Sequence, residues 1–275
     1  VASADLPPLG GERLTVEGIG KVFGGLRALD DVTLEAAPGE VTALIGPNGS
    51  GKTTLLNLVC GFYRPSNGRV LLGGSRIDTL RPYRTARAGV ARTFQTPLVP
   101  KSMTTRTFVA TGRYVSRRVA VTTAVLRMPS YRRRVRTNED HASAILSGLG
   151  IGELADAEVS ALPLGTRRLA EVARCLAAEP RVFLFDEVGS GLDEGDLDRL
   201  RSAIELIRNA GGTVVLVEHN FPLVLRLADR IHVLSNGALV ASGTPEEIQS
   251  SPRVLQEYTG TGAATVDDLV AKGTA

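Results

Sequence analysis

The run Gly46-Pro47-Asn48-Gly49-Ser50-Gly51-Lys52-Thr53 constrains this chain more than any other stretch. It fits the pattern G-x-x-x-x-G-K-[ST], which carries meaning only between a strand and a helix. Val41, Ala43, Leu44 and Ile45 supply an apolar, β-favouring lead, and Thr54 to Val59 is a helix-compatible continuation. Gly46, Gly49 and Gly51 lack a Cβ, so the backbone can curl and turn its N–H groups inward. Those donors and the positive end of the helix make a nest for phosphate oxygens. Lys52 is placed to reach the β- and γ-phosphates as a point charge. The Thr53 hydroxyl is a hard oxygen ligand of the kind Mg²⁺ prefers.

The chain has 275 residues, 43% of them hydrophobic, enough for one large domain or two small ones. A net charge of +3 is too mild to argue for a nucleic-acid partner. Cys60 and Cys175 lie far apart in apolar, helix-like surroundings, the usage of buried thiols in a reducing compartment rather than of a disulfide framework. No apolar run approaches the roughly 18 residues that span a bilayer, and no signal peptide is visible. The start at Val1, not Met, fits either a recombinant fragment or a piece excised from a longer polypeptide.

Residues 1–12 read as a flexible lead-in. Arg13 to Glu17 and Val32 to Ala37 alternate apolar and polar residues like half-buried strands. Between them stands Phe23, which could stack on adenine; its spacing alone favours a core aromatic in a hairpin. Gly89 to Phe94 reads as a strand that ends at Gln95, a residue able to touch Mg²⁺ or an attacking water, although a lone Gln is usually a surface residue. From Thr104 to Gly150 helix-compatible residues dominate and Arg is dense: Arg113, Arg117, Arg118, Arg127, Arg132, Arg133, Arg134 and Arg136. That basic cluster suits anionic lipid head groups or an acidic partner loop, and equally a solvated helix face. Its most regular helical run is Asn138 to Leu149.

Leu162-Pro163-Leu164-Gly165-Thr166 precedes a helix with Leu169, Val172, Ala173 and Leu176 on one face. Arg181 to Phe185 is nearly all apolar, as a central parallel strand buried on both faces would be. It runs into Asp186-Glu187, at the edge where α/β proteins place ligands. Asp186 is placed to hold Mg²⁺ through water and Glu187 to polarise an attacking water. A helix follows Asp193 to about Asn209, and a second apolar strand, Thr213 to Val217, ends at Glu218-His219. A single His is more often structural than catalytic, but the end of a central strand is where a γ-phosphate contact would sit. Two strands flank an Asn236-Gly237 turn, and a short helix starts at Pro245. The alternation of buried strands and helices predicts a mostly parallel sheet.

Taken in order, these motifs resemble the ATP-binding subunit of an ABC transporter, over roughly Leu14 to Gly260. Phe23-Gly24-Gly25-Leu26, Arg92-Thr93-Phe94-Gln95, Val217-Glu218-His219-Asn220 and Gly243-Thr244-Pro245-Glu246-Glu247 look like the branched-chain amino acid uptake branch. The resemblance implies an α/β fold: a P-loop NTPase core with a mostly parallel sheet, an antiparallel β subdomain and a helical subdomain insertion. It places the ATPase domain at 13–260, with the helical subdomain at about 97–178 and a tail at 261–275. It gives Phe23 the adenine, Gly46 to Thr54 the triphosphate, Gln95 the Mg²⁺ and a contact to the membrane subunit, Glu187 the general base and His219 the γ-phosphate. Pro163, Leu164, Gly165 and Thr166, with Asp193, would complete the site of a second copy or a related subunit paired head to tail.

ATP and Mg²⁺ are the implied cofactors. The implied partners are integral-membrane permease subunits and, indirectly, an extracytoplasmic solute-binding protein. The implied place is the cytoplasmic face of the plasma membrane, held peripherally. An alternative is a soluble ABC ATPase acting on nucleic acid or ribosomes, which usually needs tandem ATPase units or a long coiled coil. Two departures stand out. Pro163 replaces the serine of the common L-S-G-G-Q signature and offers neither a hydroxyl nor an N–H, leaving Gly165 and a helix start near Thr166 to bind the anion. Val188 replaces the proline usual after the acidic pair.

Overall fold

The structure, a computed structural model, describes residues 6, 8–94, 100–116, 129–251 and 254. Strands β1 (Leu14–Phe23), β2 (Leu26–Ala36), β4 (Asn67–Leu72) and β5 (Ser75–Arg76) form an antiparallel sheet of order β2-β1-β4-β5. A second sheet contains β3 (Val41–Ile45), β6 (Val90–Arg92), β7 (Val182–Asp186), β8 (Thr213–Val217), β9 (Arg230–Ser235) and β10 (Ala238–Gly243). Its order is β10-β9-β3-β8-β7-β6, parallel throughout except for the edge strand β10. β3, β7 and β8 are buried at every residue, which is why each is mostly apolar, with only Thr42, Asp186 and Thr213 as polar members.

Alternation along β7 divides the core. Phe183 and Phe185 face one layer of helices; Val182 and Leu184 face the opposite side, with the antiparallel sheet beyond. The helices are α1 (Lys52–Val59), α2 (Pro82–Ala88), α3 (Thr105–Ala110), α4 (Arg113–Ser116), α5 (Pro129–Gly148), α6 (Leu164–Ala177), α7 (Glu194–Asn209), α8 (Phe221–Leu227) and α9 (Pro245–Gln249). In α7 the Asp193 carboxylate caps the start by accepting from the Asp196 N–H at 2.8 Å. Acidic residues sit in its first turn and Arg208 in its last, matching the helix dipole. Leu200, Ala203, Ile204 and Ile207 then form the buried stripe at helical spacing. Helices α3, α5 and α6 pack on one another and join the core through Phe183 and Phe185.

Several expectations change. Phe23 is 39% exposed, at the tip of the β1–β2 hairpin beyond the register of β4, so it is not a core aromatic; its ring stands edge-on to Tyr63 with centroids 5.2 Å apart. Helix α5 begins at Pro129, well before Asn138, because its arginines are good helix formers although they carry no apolar period. Helix α6 begins at Leu164, not near Thr166, since Pro163 occupies the N-cap, where an absent N–H costs nothing. Arg113 leaves the basic face: it is buried and pairs with Glu179 at 3.0 Å. Arg132, Arg133, Arg134 and Arg136 are exposed. Gln95, Arg117, Arg118 and Arg127 lie outside the described residues.

Candidate nucleotide site

The loop from Gly46 to Gly51 is the turn between β3 and α1. Gly51 is the N-cap of α1 at φ 108°, a conformation costly for any residue with a Cβ. The loop leans on the β9–β10 turn. The Ser50 carbonyl accepts from the Gly237 N–H at 3.0 Å, and a Cβ on Gly46 would lie 2.0 Å from the Leu234 carbonyl oxygen. Lys52 is buried, and its ammonium donates to the carbonyls of Gly46 at 2.7 Å and Pro47 at 2.9 Å. Burial pulls its pKa down, opposed by the charges of Glu187 and Asp186. Residues Asn48 to Thr54 line an open cavity of about 610 Å³ together with Phe23, Arg27, Glu187 and Asn236. Phosphate-loop donors, an aromatic and a carboxylate thus share one space.

The backbone of Glu187 fixes its place beside that cavity. Its N–H donates to the Val217 carbonyl at 2.8 Å, while φ is 49°, in the left-handed region. Such strain in a non-glycine residue costs about 1–3 kcal/mol and collects at functional positions. Asp186, next to it, is buried. Arg92 donates to Asp186 Oδ2 at 2.7 Å and to Asn57 Oδ1 on α1 at 2.7 Å; the Asp186 N–H donates to Thr93 Oγ1 at 3.2 Å. Asp186 Oδ1 is buried with no partner among the described residues. An orphaned carboxylate oxygen at the end of β7, two strands from the β3 that leads into the phosphate loop, suits a magnesium ion that keeps part of its water shell. Deleting one member of so buried an ion pair costs about 3–5 kcal/mol.

Two charged residues had no role assigned from sequence. Arg92 sits at a strand end, where a long cation normally reaches solvent. Glu218 is fully buried just after the apolar run 214–217 of β8, the same signal that singles out Asp186 at the end of β7. Its Oε1 accepts from the Gly189 N–H at 2.7 Å. Burial pushes its pKa up to about 7; the Gly189 hydrogen bond opposes the rise and the charge of Glu187 adds to it. His219, the next residue, is exposed and does not line the phosphate cavity.

The Leu162–Thr166 segment also lies apart from that cavity. Leu164 is 41% exposed, whereas Gly165 is buried in the first turn of α6 against Asp196 on α7. A Cβ on Gly165 would lie 1.9 Å from Asp196 Oδ2, so any side chain here would have to displace the Asp196 carboxylate. Further along α6, Arg168 donates to the Phe94 carbonyl at 3.0 Å and to Glu171 at 3.4 Å, tying this helix to the end of β6. Asp193 is exposed and engaged as the α7 cap.

A parallel sheet with a phosphate loop after its central strand and an acidic pair after its neighbour but one defines a phosphate-loop nucleotide-binding protein. The sequence profile of the ABC transporter family matches residues 29–190. The high-affinity branched-chain amino acid transport ATP-binding protein LivG of Escherichia coli (strain K12) is 37% identical over 248 residues, 90% of this chain and 97% of the relative. The corresponding BraF protein of Pseudomonas aeruginosa is 36% identical over 250 residues, 90% and 97% of the two chains. The crystal structure of the ADP conformation of MJ1267, an ATP-binding cassette of an ABC transporter, superposes with a TM-score of 0.79 at 30% identity, covering 91% of this chain and 99% of that one. The chain belongs to the ABC transporter family and is one of its ATPases.

Proposed function

We propose that this chain is the ATP-hydrolysing subunit of an importer for branched-chain amino acids or similar small solutes. The observation that carries the reading is that Glu187 lines the same cavity as residues 48–54. The solute class rests on the LivG and BraF names. Every relative named above is a transport or transporter protein, so an ATPase acting on nucleic acid or ribosomes is set aside.

In this reading the Phe23 ring, exposed at the cavity rim, takes the adenine face. The N–H groups of the loop and the amino end of α1 receive the β- and γ-phosphates, and Lys52 exchanges its two carbonyl partners for phosphate oxygens. Thr53 and Asp186 would hold magnesium, which neutralises charge on the β- and γ-oxygens. Glu187 takes the proton of the attacking water, His219 contacts the γ-phosphate once the site closes, and Gln95 would sense the magnesium and contact the membrane subunit. Catalysis is then largely positioning and charge stabilisation. Pro163 to Thr166 and Asp193 face a second copy or a related subunit, whose phosphates receive the amino end of α6.

No helix among the described residues is long and apolar enough to cross a membrane, so transport requires membrane-spanning partners. An apolar groove of about 290 Å³ between α2, β6, α4 and α6 is the place for one. Phe62, Tyr83 and Phe94 line it at 51%, 50% and 44% exposure, aromatic area that a monomer has little reason to leave in water. Its occupant in this reading is a helix of the permease at the cytoplasmic face of the membrane. The test is uptake of labelled leucine by cells deleted for this chain and complemented with it or with Glu187→Gln. Restoration by the first alone is expected; unchanged uptake after deletion overturns the importer reading.

A further inference from the structure

The nucleotide cavity and the apolar groove are separate spaces, and Arg92 touches both systems. Arg92 lines the groove, and its guanidinium carbon lies 5.4 Å from the centre of the Phe94 ring. Its two terminal nitrogens reach two elements that carry nucleotide-site residues: Asn57 on α1, the helix of Lys52 and Thr53, and Asp186 Oδ2 at the end of β7, next to Glu187. The Arg92 and Asp186 side chains are 7% and 2% exposed, so water does little to screen the pair. With Oδ2 held by Arg92 and the Asp186 N–H on Thr93, the carboxylate plane is set and Oδ1 is left as its open acceptor.

We propose that Arg92 is a positioning residue that orients the Asp186 carboxylate for the nucleotide's magnesium ion. This rests on the nucleotide-site reading above. Groups that hold a metal-binding carboxylate from behind typically change metal affinity about 10- to 100-fold when removed. The fork is essential: a lysine ammonium keeps the charge but, as a point donor, cannot hold Asn57 and Asp186 in the same geometry. A cation acting only as a counter-charge would behave otherwise, since its removal would strengthen binding of a second cation at the carboxylate.

The test uses the full chain with ADP and Mn²⁺ as the spectroscopic metal. Free Mn²⁺ is followed by electron paramagnetic resonance, and ADP binding in excess chelator is followed by calorimetry. Arg92→Met and Arg92→Lys are both expected to weaken Mn²⁺ binding to the ADP complex about 10- to 100-fold, with metal-free ADP affinity unchanged. Asn57→Ala, which frees one end of the guanidinium, is expected to weaken it less and carries the test if Arg92→Met fails to fold. Unchanged or tighter Mn²⁺ binding in Arg92→Lys and Asn57→Ala overturns the proposal. If the unaltered chain binds no ADP, the nucleotide-site reading fails instead.

Discussion

The backbone N–H of Gly189 donates to the Oε1 atom of Glu218 at 2.7 Å, joining the loop after Asp186-Glu187 to the end of β8. The Oε2 atom of the same carboxyl group is buried without a hydrogen-bond partner. The carboxyl group is raised from 4.5 to about 7. Between those values the unfolded chain has lost the proton and the folded chain retains it, so this group's contribution to stability is full below about 4.5 and is lost as pH rises to about 7. Glu218→Gln keeps an acceptor for Gly189 and cannot ionise. It is expected to match the parent near pH 4.5 and to exceed it above pH 7 by on the order of 2–3 kcal/mol, read from denaturant melts across pH. A parallel pair of stability curves would refute the assignment.

Glu187→Gln preserves size and hydrogen bonding at a residue already committed to a left-handed backbone, so the fold should be retained. Hydrolysis is expected to fall about 10²- to 10⁴-fold, the span that a positioned base contributes. ATP binding should survive, and the variant should run as a nucleotide-bound dimer in size-exclusion chromatography. Phosphate release at the parental rate would remove Glu187 from the mechanism.

Gly165→Ala forces the Asp196 carboxylate away from α6, because the new methyl group would sit 1.9 Å from Oδ2. A loss of about 1–3 kcal/mol is expected from overpacking. Asp196→Ala removes the obstructing atoms, so the double variant should recover most of that loss, and a double-mutant cycle by thermal or urea melts measures the coupling. Additive losses would show that the two residues do not share the space.

Tyr83→Asp and Phe94→Asp place charge on the apolar groove without reaching the phosphate cavity. Each is expected to leave ATP binding by the isolated chain near the parental value and to abolish pull-down by the permease subunits. Retained pull-down would move the docking surface elsewhere.

Much of this arrangement was legible in the chain, and the reasons are physical. The apolar runs at Val182 to Phe185 and Thr213 to Val217 can be buried on both faces only in a covered parallel sheet, so the placement of Asp186, Glu187 and Glu218 at strand ends followed. The phosphate loop announced itself because close backbone approach tolerates few residues. Phe23 was misplaced by its spacing, since a hairpin tip has the same local pattern as a hairpin core and differs only in the reach of β4. The roles of Arg92 and Glu218 were hidden because each depends on a partner distant in sequence: Asp186 for one, Gly189 for the other. Helix α2 and strand β5 are too short for a period to declare itself.

The bracing of the phosphate loop by the β9–β10 turn, through Ser50 and Gly237, has a thermodynamic corollary. A loop already held by its own chain has little freedom left to surrender when a ligand arrives. Calorimetric titration with ADP should therefore show a small heat-capacity change, far from the signature of a segment that folds around its ligand. Gly237→Pro deletes the donor of the Ser50 bond and, because proline cannot hold the φ of 81° found there, also releases the β9–β10 turn that braces the loop. It should weaken ADP mainly through a larger entropic penalty, which separates shaping of the loop from the contacts the loop makes.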